Sequence, residues 1–130
     1  MKSYSKRITV QESDLDDLNH VNNIRYIEWI QDISKEHWQA TVPEPELENY
    51  IWVVRHHDIT YYGAALLGQK LEIKTNIEKW HGALSQRKVI ITNIKNNKVL
   101  VSAVTEWCLL NPANNRPTRV PTDIAALFID

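Results

Sequence analysis

The chain is poor in several features that would announce a function. Cys108 is its only cysteine, so no internal disulfide can form. A lone thiol fits a reducing compartment, and a cytoplasmic location is expected. Only 3 glycines are present. No glycine-rich phosphate loop exists, which argues against a dinucleotide-binding fold. There is no CxxC pair and no HxxxH spacing, so no metal site is expected. No segment approaches the ~20 apolar residues of a membrane span. The start, Met1-Lys2-Ser3-Tyr4-Ser5-Lys6-Arg7, has no apolar run of signal length. The 15 basic and 16 acidic side chains give a formal charge of -1. That balance lacks the basic excess of a nucleic-acid binder.

What is present is enough for one domain. A chain of 130 residues can bury a real core, and a single domain over residues 1–130 is expected. Residues 6–11 alternate polar and apolar, as a short strand does. From about Asn23 to Ala40 the pattern is helical, with Ile24, Ile27, Ile30 and Ile33 three apart and Tyr26, Trp29 and Trp38 beside them. So wide an apolar surface calls for cover on most sides. Pro43 and Pro45 end the helix. Four strand-like segments follow, at about 51–62, 70–80, 86–94 and 99–110. Asn96-Asn97-Lys98 supplies a tight turn, since asparagine tolerates positive φ. Residues 111–121 read as a polar, proline-containing loop, after which Thr122 can cap a short closing helix over 123–128. Consecutive strands with short turns imply an antiparallel sheet, and one long helix against it gives an α+β domain.

The chemistry concentrates between the first strand and the long helix. Asp14 to Asn23 contains three carboxylates, one imidazole and three carboxamides: Asp14, Asp16, Asp17, His20, Asn19, Asn22 and Asn23. A helix start offers open N–H groups and the positive end of the macrodipole. A carbonyl oxygen that gains negative charge can be held there. A carboxylate just upstream can act as base or nucleophile. The structural alternative is a set of loop and cap residues, because acids before a helix are common for dipole reasons alone. His56 and Asp58 share a strand face, but no third ligand stands near them.

Asp14-Leu15-Asp16, His20-Val21-Asn22-Asn23, Tyr26 and Trp29 together resemble the signature of hotdog-fold thioesterases. The likeness is to the 4-hydroxybenzoyl-CoA thioesterase-like and acyl-ACP thioesterase branches, whose pattern is roughly D-x-D-x-x-G/Q-H-V-N-N-x-x-Y-x-x-W. Asp58-Ile59-Thr60-Tyr61 before Gly68, and Arg116-Pro117-Thr118-Arg119-Val120-Pro121, extend it over most of the chain. HVNN is specific; the later matches are weaker. The resemblance implies a hotdog fold, with an antiparallel sheet wrapped around one central helix. It also implies hydrolysis of an acyl-CoA or acyl-ACP thioester with no cofactor, by a homodimer or homotetramer whose site lies between protomers.

Carried over by position, Asp16 is the catalytic carboxylate, the Asn23 N–H polarises the thioester carbonyl, and His20 stands beside the carboxylate. Asn22 and Tyr26 are the implied substrate-side residues. The chain departs from the pattern at four places. Asn19 replaces a glycine, Leu18 an asparagine and Gln31 a glutamate, while Ala64-Ala65 falls where plant-type relatives carry a strand-borne glutamate. Lys79, Arg87, Lys88, Arg116 and Arg119 are candidates for the carrier's phosphates. Two rival readings use the same fold: a hydratase or dehydratase, for which no histidine-proline-glycine signature is present, and a non-catalytic acyl-binding domain, against which intact Asp16 and His20 argue.

Overall fold

The computed structural model describes residues 2–129. Strand β1 (Ser3–Thr9) leads through a short 3-10 turn (Glu12–Asp14) and the acidic loop into helix α1 (Asn23–Thr41). A four-residue helix α2 (Glu44–Leu47) follows, then β2 (Ile51–Tyr61), β3 (Lys70–His81), β4 (Leu84–Asn93) and β5 (Lys98–Asn111). A two-residue strand β6 (Arg116–Pro117) and helix α3 (Thr122–Ala126) close the chain. The strands run antiparallel in the order β1-β3-β4-β5-β2, with β6 paired to the end of β5. A sheet curled around one long helix is the hotdog arrangement.

The core follows from matched periodicities. On α1 the buried residues Tyr26, Trp29, Ile30, Ile33, His37 and Trp38 fall three and four apart, which makes one continuous stripe. On the strands alternate residues face it, as with Leu71, Ile73, Val89, Ile91, Val101 and Ala103. A second cluster surrounds Trp38 at the far end of the helix, where its ring stacks on Phe128 at 5.4 Å.

Three expectations need correction. Ile24 is 65% exposed, because it lies one residue into the helix on the side away from the stripe. Residues 111–121 are not wholly loop, since Arg116 and Pro117 pair with Asn111 and Leu110. Thr122 is the first residue of α3 and its N-cap is Pro121, with no side-chain cap bond. Helix α2 was not anticipated. Proline is tolerated in the first turn of a helix, so the residues that end α1 can begin another.

Candidate functional site

The acidic loop is a hairpin-like turn fastened to the helix start. The Asp16 N–H donates to the His20 carbonyl at 2.7 Å, and the Asn19 N–H to the Asp16 carbonyl at 3.0 Å. Leu15 and Val21 form a bridge on either side. Asn19 closes the turn at φ 61, in the left-handed region that short hairpin loops use and that asparagine enters more readily than most residues. The glycine of the pattern is therefore dispensable here. Leu18, at the tip, is 75% exposed.

The three carboxylates divide into different tasks. Asp14 is buried. Its Oδ1 accepts from Arg25 Nε at 2.8 Å and its Oδ2 from the Gln11 N–H at 2.8 Å. Its carbonyl accepts from the Asn22 N–H at 2.9 Å. Asp14 thus holds the loop to the helix. Asp17 is exposed. Asp16 is half-buried and faces a cavity of about 300 Å³. Its Oδ1 accepts from the N–H groups of Leu18 at 2.9 Å and His20 at 3.2 Å. Among the described residues no group donates to its Oδ2.

Three further residues of the loop motif, His20, Val21 and Asn23, line that cavity with Asp16. Asn22 is not in its wall. It is the N-cap of α1, and its side chain accepts from the Ile24 N–H at 3.0 Å. The Asn23 N–H belongs to the first turn, so no intrahelical acceptor reaches it. No other acceptor contacts it among the described residues. His20 is exposed, and its ring has no hydrogen-bond partner among the described residues.

Tyr26 also contributes to the wall, although its side chain is almost entirely buried. Its hydroxyl accepts from the Ala65 N–H at 2.9 Å. Burial, chiefly, raises the phenol above its ordinary value. The Ala65 N–H opposes that rise, and Tyr61 and the Asp16 charge add to it.

The opposite wall was not anticipated from the sequence. It is formed by Tyr61, Tyr62, Gly63 and Ala64, at the end of β2 and in the segment after it. That segment is tied to the motif at several points. The Val21 N–H donates to the Ala65 carbonyl at 3.0 Å, and His20 bridges to Leu66. A turn closed by Gln69 N–H to Leu66 carbonyl places Gly68 at φ 81, where a side chain would be strained. The available signal was a pair of exposed tyrosines running off a strand into a stretch punctuated by Gly63 and Gly68.

The candidate phosphate cations do not line this cavity. Lys79, Arg116 and Arg119 are exposed and Lys88 is half-buried. Arg87 is a correction: it is 3% exposed. Its Nη1 donates to His37 Nδ1 at 2.8 Å and to Thr75 Oγ1 at 3.2 Å. It sits on the inward face of β4, so it cannot meet a carrier at the surface. The half-buried His57 contacts Thr105 and Gln31, while His56 points outward past the bulge between Val54 and His56. Cys108 is half-buried.

The family model for the acyl-ACP thioesterase N-terminal domain matches residues 1–128. The chain belongs to this family, and its activity is thioester hydrolysis. A search of curated proteins returns no match. Among solved structures, the fold is shared with a 1,4-dihydroxy-2-naphthoyl-CoA thioesterase from Synechocystis. That protein has a TM-score of 0.84 and 13% identity, over 99% of this chain and 97% of that one. A thioesterase from Thermus thermophilus, complexed with coenzyme A and Zn, gives 0.82 and 21% identity over 95% and 90%. The 12:0-ACP thioesterase from Umbellularia californica gives 0.84 and 15% identity. The match covers 98% of this thioesterase chain but only 51% of the plant one.

Proposed function

We propose that residues 1–130 act as one hotdog unit hydrolysing an acyl thioester of coenzyme A or acyl carrier protein in the Asp16 cavity. One observation carries the reading. A carboxylate oxygen and a helix-start N–H, each without a partner among the described residues, border the same cavity. The thioester carbonyl oxygen would accept from the Asn23 N–H, which lies at the positive end of the α1 dipole. Asp16 Oδ2 would either draw a proton from the attacking water or attack the carbonyl carbon itself. His20 stands free to pass a proton to the departing sulfur. Asn22 and Tyr26 serve by holding the helix start and the 62–69 segment in place.

The two routes for Asp16 are separated by a single turnover in ¹⁸O-labelled water. Activation of water puts the label in the released acid. Direct attack expels the thiolate and leaves a mixed anhydride. Water adding at its Asp16 carbonyl carbon puts unlabelled enzyme oxygen into the acid and leaves the label on Asp16. An anhydride opened at the acyl carbon is told apart by trapping it with hydroxylamine. The proposal fails if acyl-CoA and acyl-ACP substrates across chain lengths, with aromatic acyl groups included, are all left intact.

The carrier's phosphates would meet Lys79, Lys88, Arg116 or Arg119. Removing such a contact should raise KM more than it lowers kcat, because the reacting centre is remote. The active form would be a homodimer or homotetramer. Leu18, Ile24, Tyr62 and Leu67 are exposed in the loop, helix start and segment that frame the cavity, and among the described residues β2 leaves one sheet edge unpaired. A monomeric mass in light scattering at micromolar protein would contradict this. The single free thiol fits a cytoplasmic setting.

A further inference from the structure

A second cavity, of about 250 Å³, shares no lining residue with the Asp16 cavity. It lies between the far half of α1 and the sheet. Ser34, where it begins on the helix, is about 16 Å along the axis from Asn23 at ~1.5 Å per residue. Ile30 and Ile33, both fully buried, pack in the stretch between. Four aromatic rings stand in its walls, those of Trp38, Tyr50, Trp52 and Trp107. Exposed Lys35 and Gln39 stand at the mouth.

Arg87 is the unusual member of this wall. It is buried, and no carboxylate pairs with it among the described residues. Its described contacts, His37 Nδ1 and Thr75 Oγ1, both engage Nη1 and are both neutral acceptors. No acceptor among the described residues meets Nε or Nη2. A buried cation is normally paired, because taking a lone charge out of water is costly. The cavity thus combines a planar, bidentate cation with flat apolar sides. A carboxylate matches the guanidinium fork, and an aromatic or aliphatic body matches the indoles. The volume is below the ~300–1,000 Å³ typical of drug-sized ligands, which suits a small acid rather than a carrier arm.

We propose that this cavity is a binding site for a small organic monocarboxylate, with its carboxylate on Arg87 and its apolar body between Trp38, Trp52 and Trp107. The site is separate from the hydrolytic one and does not depend on which thioester is cleaved there.

The test uses the full chain and two matched pairs of probes, phenylacetate with phenylacetamide and hexanoate with hexanamide. Binding is read by calorimetry and by tryptophan fluorescence, since three tryptophans line the cavity. The acids should perturb the fluorescence and bind at least about tenfold more tightly than the amides, the scale of one charge-assisted hydrogen bond. Arg87→Gln should remove that preference, Trp52→Phe should weaken acid binding several-fold, and Asp16→Asn should leave it unchanged. The comparison of acid with amide in the unaltered protein stands even if Arg87→Gln fails to fold. Equal binding of acids and amides, or no binding at millimolar acid, would overturn the proposal. So would displacement by equimolar inorganic phosphate, or loss of binding in Asp16→Asn.

Discussion

Acidification should destabilise this protein through His37 before it protonates most carboxylates. His37 is buried between Arg87 of β4, the Tyr4 ring of β1 and Phe128 beyond α3. An arginine can only donate, so His37 Nδ1 must accept and the ring proton sits on Nε2. Burial first, and then the Arg87 charge, lower the imidazole from 6.5 to about 4. Between those two values the unfolded chain takes up a proton that the folded chain refuses. Stability therefore falls as pH drops from about 6.5, and the loss is complete near 4. At ~1.36 kcal/mol per factor of ten, the gap corresponds to at most about 3 kcal/mol. For a domain of this size that is a fall in Tm of roughly 10 °C. Urea denaturation at steps from pH 7.5 to 4 measures it directly. His37→Gln keeps an acceptor for Arg87 but cannot titrate, so its stability should decline much less over the same range. Parallel pH profiles for parent and variant would refute the reasoning.

Three further outcomes test the scaffold around the site. Asp14→Ala strips Arg25 and the Gln11 N–H of a buried acceptor and should cost about 2 kcal/mol in denaturant unfolding. Asp14→Asn should keep far more activity than an Asp16 variant. Tyr26→Phe leaves the Ala65 N–H without its acceptor and should cost about 1–3 kcal/mol, with faster hydrogen exchange at Ala65 as the specific readout.

Much of this fold was legible because its two periodicities are strong. Residues 23–40 were expected to be helical and α1 ends one residue later, at Thr41. The four later strands fall within two residues of their expected ends. Ile24 misled because a three-residue repeat drifts around a 3.6-residue helix, so the first isoleucine leaves the stripe that Ile30 and Ile33 occupy. Arg87 misled for a related reason. Strand alternation places it inward with Ser85 and Val89, but an arginine in a polar-looking run gives no hint that His37, fifty positions away, will meet it. In the site, the motif loop could be read because Asp16, His20 and Asn23 are local. The wall made by Tyr61 to Ala64 depends on the pairing of β2 with β5 and on Tyr26 reaching Ala65, and neither has a local signature.

The central claim is that Asp16 does the chemistry rather than only shaping its turn. Asp16→Asn separates the two roles. A carboxamide oxygen can still accept from the Leu18 and His20 N–H groups, so the turn and the Tm should be nearly unchanged. The negative charge and the basicity at Oδ2 are lost. Hydrolysis of a medium-chain or aromatic acyl-CoA should then show kcat reduced by roughly 10²-fold or more, the lower range for removal of a general base. A variant that folds like the parent and hydrolyses the thioester as fast would contradict the account and leave Asp16 as a turn residue alone.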